Sequence, residues 1–139
     1  MTAAAARIAV VEDHDRYRQT MRAVIELMPA MVVAWEAGDG EGALELLAEH
    51  PVDLVIVDLS LPGVSGIELV SIIQRRWPTT PCVVVSGHAQ RRHADRSFEA
   101  GARGYILKGR PAELRDGISA ALAGDRYLSP RLAPPGEGT

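Results

Sequence analysis

The residues predict an α/β domain in which one parallel sheet is covered by helices on both faces. Three features lead there. Short apolar runs recur along the chain, RIAVV, MVVAWEA, LVIV, PCVVV and YIL, and strands buried on both faces read as continuous runs of this kind. The segments between them place apolar residues at helical spacing. The joints are short and rich in Gly and Pro, so strand and helix alternate as they do when crossover helices connect parallel strands.

Taken in order, Arg7 to Val11 is the first strand and runs into two acids, Glu12 and Asp13. Asp15 is placed as the cap of a first helix, on which Tyr17, Met21, Val24, Ile25 and Met28 share a face until Pro29 ends it. Met31 to Ala37 is the second strand. A second helix opens near Asp39, turns Ala43, Leu44 and Leu47 inward and stops at His50 and Pro51. Leu54 to Val57 is a third, fully buried strand that stops at Asp58; Pro62, Gly63 and Gly66 hold the following loop open. The third helix carries Ile67, Val70, Ile73 and Trp77 on one face, and WPTTP breaks it. Pro81 to Val85 is the fourth strand, ended by Ser86 and Gly87. The helix after it, about 90–100, has only Ala94 and Phe98 to bury and should be the most weakly seated. Gly101 and Gly104 close it, and the fifth strand, Tyr105 to Leu107, leads into Lys108. The fifth helix has Pro111 in its first turn, buries Leu114, Ile118 and Leu122, and ends at Gly124. The tail SPRLAPPGEGT reads as a linker.

At 139 residues the chain fits one domain, large enough to bury roughly two-thirds of its unfolded surface without disulfides. The single cysteine, Cys82, lies in an apolar run and reads as core. One cysteine, no signal-peptide pattern and no apolar run of membrane-spanning length lead to the expectation of a cytoplasmic protein without a membrane partner. A net charge of −3 argues against direct binding of nucleic acid. Lys+Arg is 15, and Lys108 is the only lysine; a compact ammonium at one place suggests chemistry that a guanidinium fork would not fit.

Strand order 2-1-3-4-5, the flavodoxin-like (βα)5 arrangement, puts the ends of the first and third strands side by side at the topological switch point. Glu12, Asp13 and Asp58 then converge. Three carboxylates in one crevice need a cation, and hard oxygen donors favour Mg²⁺, which keeps waters and is shared with a phosphate. Ser86 and Lys108 end the fourth and fifth strands at the same edge. The set suits transfer of a phosphoryl group to a carboxylate, with Asp58 as nucleophile and the serine, lysine and metal stabilising oxygens. A dinucleotide-binding reading fails because VVEDHDRYR contains no glycine. A phosphohydrolase of the haloacid dehalogenase type would carry an aspartate where Ser60 stands. His14 has no second histidine at ligand spacing and reads as a surface residue.

The stretches VVED, VDLVIVDLSLPGVSGIEL, VVVSG and GARGYILKG resemble the receiver domain of two-component response regulators over about residues 7 to 128. The resemblance implies that Asp58 is phosphorylated by a sensor histidine kinase and that Asp13, Asp58 and the Ser60 carbonyl bind Mg²⁺, with Glu12 assisting through water. It further implies that Ser86 is the switching hydroxyl and Lys108 the phosphoryl contact, and that Tyr105 changes rotamer to fill space Ser86 vacates. Such a domain is a signalling element rather than an enzyme with its own substrate. The tail AALAGDRYLSP is similar to receivers of the NarL/LuxR type, which precede a DNA-binding helix-turn-helix. The expected division is a receiver over 1–128 and a linker over 129–139 toward an output domain, with a second receiver as a dimer partner. The alternative is a stand-alone or pseudo-receiver acting through protein contacts. Two departures stand out: Gly109 replaces the proline many receivers have after the lysine, so that bond is expected to be trans, and Ser60 and His88 occupy positions that tune dephosphorylation.

Overall fold

The structure, a computed structural model, describes residues 4–132. Strands β1 (Ala6–Val11), β2 (Met31–Ala37), β3 (Leu54–Asp58), β4 (Cys82–Ser86) and β5 (Gly104–Leu107) alternate with helices α1 (Asp15–Glu26), α2 (Gly40–Glu49), α3 (Gly66–Arg76), α4 (Arg91–Glu99) and α5 (Pro111–Leu122), and a short β6 (Tyr127–Leu128) follows. All strand pairs are parallel, in the order β2-β1-β3-β4-β5-β6. The expected order therefore holds, with a sixth strand added at its end.

Every residue of β3, β4 and β5 is buried, as continuous apolar runs require. Alternation of side chains across the sheet divides the core in two. Ile8, Val10, Leu54, Ile56, Val83, Val85 and Ile106 face α1 and α5 together with Met21, Ile25, Leu114 and Ile118. Ala9, Val11, Val55, Val57, Val84 and Tyr105 face the other side with Leu47, Leu69, Val70 and Ile73. Cys82 is in that second core, wholly buried, and burial pushes its thiol up to about 12.

Four details differ from the expectations. Helix α1 is capped by His14, whose Nδ1 accepts from the Tyr17 amide at 3.3 Å, while Asp15 is the first helical residue and pairs with Arg18 at 2.5 Å. The buried stripe of α3 is Leu69, Val70 and Ile73 rather than one ending at Trp77. In α5 it is Ala121, not Leu122, that completes the stripe of Leu114 and Ile118. The start of the tail is not free: the Tyr127 amide donates to the Arg103 carbonyl and the Ser129 amide to the Tyr105 carbonyl, both at 2.9 Å. The free edge of β5 offers those carbonyls, so the chain after α5 pairs there. The last residues of the expected linker, 133–139, lie outside the described residues. Among the described residues no helix is long and apolar enough to cross a membrane.

Candidate phosphoacceptor site

Register decides which strand ends meet. Val11 pairs with Val57, so Glu12 and Asp58 stand level as the next residues of adjacent strands. Asp58 pairs with Val85 and Ser86 with Leu107, so Ser86 and then Lys108 follow one step further out at each neighbouring strand. By alternation Glu12, Asp58 and Lys108 fall on the α1/α5 side and Ser86 on the other. The carboxyl edge of the sheet thus receives two sets of groups, one around each face of Asp58.

On the first face Lys108 Nζ lies 3.2 Å from Glu12 Oε1 and 3.3 Å from Asp58 Oδ1. The same ammonium sits 4.6 Å from the centre of the Tyr17 ring, a cation–π placement. Arg18 donates to the Glu12 carbonyl at 2.8 Å. On the other face Ser86 Oγ accepts from the His88 amide at 3.0 Å, and Tyr105 donates its hydroxyl to the His88 carbonyl at 2.7 Å. The Ser60 amide donates to Asp58 Oδ1 at 3.3 Å.

The close joint between β3 and α3 requires glycine: a Cβ on Gly66 would stand 2.4 Å from the Asp58 carbonyl oxygen and 2.8 Å from Leu59 Cα. Ser65 then caps α3, accepting from the Glu68 amide at 3.2 Å, and Ser-x-x-Glu is the signature of a helix start. The nucleophile candidate is therefore held by a buried strand on one side and a tightly joined helix on the other.

Carboxylate oxygens of Glu12, Asp13 and Asp58 can all lie within 4.8 Å of one another, with Asp13 exposed and the other two buried. Burial first, and then the hydrogen bond and charge of Asp58, push the Glu12 carboxyl up to about 7 against the opposing pull of Lys108. Glu12 Oε2 is buried and has no partner. An uncompensated carboxylate oxygen beside two further acids and a single ammonium fits a divalent cation, and all the donors are hard oxygens. The acidic cluster can hold a metal. Burial and the same acids push the Tyr17 hydroxyl up to about 12.

The sequence-predicted residues Glu12, Asp13, Asp58, Ser60, Ser86 and Lys108 all come to this edge. Tyr105 is wholly buried, with its hydroxyl bonded to the His88 carbonyl. No peptide bond among the described residues is cis, as expected for Gly109. Sequence reading missed Tyr17 and Arg18 as neighbours of the acids; only their spacing from Glu12 along a helix that packs over β1 could have indicated them. A surface trough of about 670 Å³ opens at the opposite edge among Asp53, Gln74, Pro78 and Arg103 and shares none of these groups.

A parallel α/β sheet with acids, a hydroxyl and a lysine gathered beyond its carboxyl edge belongs to the open α/β class, which binds its ligands at that edge, at the topological switch point. Residues 8–119 match the family model described as the response regulator receiver domain, and the chain belongs to that family. It is 33% identical over 128 residues to the response regulator GacA of Pseudomonas aeruginosa, covering 91% of this chain and 60% of GacA. It is 30% identical over 127 residues to the response regulator UvrY of Escherichia coli, covering 91% of this chain and 58% of UvrY. Among solved structures, a LuxR-family two-component response regulator from Aurantimonas sp. SI85-9A1 superposes with a TM-score of 0.87 at 39% identity, covering 91% of each chain. A LuxR-family DNA-binding response regulator from Silicibacter pomeroyi gives a TM-score of 0.77 at 27% identity over 88% of this chain and 96% of that one. The chain spans 60% or less of the length of GacA and UvrY.

Proposed function

We propose that Asp58 accepts a phosphoryl group from the phosphohistidine of a sensor kinase in a Mg²⁺-dependent reaction, and that the phosphorylated receiver switches a DNA-binding output domain. The observation that carries this reading is the position of the Asp58 carboxylate, 3.3 Å from Lys108 Nζ beside two further acids. A carboxylate oxygen of Asp58 attacks phosphorus, the P–N bond to the kinase imidazole breaks, and the imidazole leaves with the electron pair and takes a proton. Lys108 follows the charge from the carboxylate to the phosphoryl oxygens. Ser86 accepts from the His88 amide, which leaves its own O–H free to donate to the phosphoryl group. Mg²⁺, held by Asp13, Asp58 and the Ser60 carbonyl with Glu12 behind them, would supply the remaining neutralisation of phosphoryl charge. Ser60 and His88 flank the acyl phosphate and set how long it lasts.

The similarity to LuxR-type regulators supports a cytoplasmic transcription regulator in which this receiver pairs with a second receiver and residues beyond the body act as a tether to the output domain. The receiver itself, with a net charge of −3, does not bind DNA directly. Incubation with acetyl phosphate and Mg²⁺ should place one phosphoryl group on the chain, detected by mass spectrometry. Asp58→Asn and chelation of Mg²⁺ should each abolish it. Undiminished labelling of Asp58→Asn would refute the assignment.

A further inference from the structure

We propose that Arg131, in the tail after β6, is a positioning residue for Lys108. This rests on the reading of Lys108 as the phosphoryl contact. The amide of Lys108 is held by the Ser86 carbonyl at 2.9 Å. Among the described residues no backbone amide of the loop is bonded to its carbonyl, and Gly109 follows with φ +116° and nothing within 4 Å of where a side chain would stand. Arg131 supplies that support. One Nη2 donates to the Leu107 carbonyl at 3.0 Å and reaches the Lys108 carbonyl at 3.5 Å.

The guanidinium is itself held. Its Nε donates to Glu113 Oε2 on α5, and Glu113 Oε1 accepts from the Ser129 hydroxyl. Glu113 and Ser129 are only 6% and 2% exposed, so the carboxylate is out of water and takes its hydrogen bonds from the tail. A planar fork suits this task, since one edge meets the carboxylate while the other reaches two carbonyls; an ammonium cannot do both. Tail, α5 and the end of β5 are thereby locked into one unit, and the last link of that unit is the backbone from which Lys108 reaches Asp58. Release of Arg131 lets the Gly109 loop move and blurs the position of the ammonium.

The test measures the rate of label uptake at Asp58 from acetyl phosphate at saturating Mg²⁺, with the 139-residue chain. Because small misplacements of a reacting group are expensive, Arg131→Gln should slow uptake by about tenfold, and Arg131→Lys should recover part of the loss. In a Lys108→Ala background Arg131→Gln should add no further slowing, an outcome that a general loss of structure would not give. Arg131→Gln strands the Glu113 carboxylate, so the pair Glu113→Gln with Arg131→Gln, which restores neutral hydrogen bonding, serves as the second variant and should be equally slow. Amide hydrogen exchange at Gly109 should quicken in both. Wild-type rates in a folded variant, or equal slowing with and without Lys108, would overturn the proposal. A wild-type chain that takes no label removes the phosphoacceptor reading and this role in it together. Unchanged exchange at Gly109 in the variants overturns the clamp alone.

Discussion

Helices α3 and α4 lie side by side on one face of the sheet and follow the two strand ends that matter most, yet they are seated very differently. Helix α3 is capped by Ser65, buries Leu69, Val70 and Ile73, and ends with Arg75 and Arg76 where the helix dipole favours positive charge. Helix α4 has no side-chain cap, begins with Arg91 and Arg92 at the end the dipole makes unfavourable, and buries only Ala94 and Ser97. The hydroxyl of Ser97 turns back to the His93 carbonyl of its own helix at 2.8 Å. Phe98 is half-buried, with the Arg126 guanidinium 4.5 Å from its ring centre. Asp58 ends the strand before α3 and Ser60 follows it in the loop; Ser86 ends the strand before α4 and His88 follows it in the loop. The proposed phosphoacceptor thus stands on the firm side of the site, and the residues proposed to register its phosphorylation stand on the loose side, where local opening costs least.

The largest effect expected is on the firm side. Ile73→Ala removes a wholly buried side chain from the α3 stripe and should cost about 2 to 5 kcal/mol, whereas Phe98→Ala on α4 should cost about 1 kcal/mol, having less apolar area to lose. Chemical denaturation of both variants measures the difference; equal losses would break the contrast. Next is Gly66→Ala. Its added methyl would meet backbone of Asp58 and Leu59 that cannot step aside, so a loss of about 1 to 3 kcal/mol is expected, together with reduced phosphoryl uptake because Asp58 itself is displaced. Normal uptake would show that the joint does not position the carboxylate.

The firm corner also stores charge. The Glu12 carboxyl is raised from 4.5 to about 7 in the fold, so between these values the folded state binds a proton that the unfolded state has released. Its contribution to stability is complete below about 4.5 and is lost as pH rises through about 7. The melting temperature should decline from pH 5 to pH 8 in part for this reason, and Glu12→Gln should flatten the decline. An unchanged slope in that variant would place the strain elsewhere. The smallest effect comes from repairing the loose side. Gln90 has the extended backbone of an N-cap but makes no capping bond, so Gln90→Asp should stabilise the domain by about 0.5 to 1 kcal/mol. A thermal melt without any gain would mean that α4 is limited by packing, not by its start.

Much of this was readable from the residues because it is local. Apolar runs of four or five residues and helical stripes between them mark strands and helices, and acids, a serine and a lysine directly after those runs must sit at one edge once the strands are parallel. The weak seating of α4 was readable for the same reason, from too few apolar positions. What remained hidden depends on partners distant in the chain. Lys108 and Glu12, 96 residues apart, could be assigned to one edge but not to a contact, because one step of register would send either side chain to the opposite face. Strand β6 has two residues, too few to show a period, and it forms because β5 presents an open edge of carbonyls. Glu113 and Arg131 look like solvated surface residues in an otherwise polar stretch; only the packing of the tail over α5 removes water from the carboxylate and leaves the arginine as its partner.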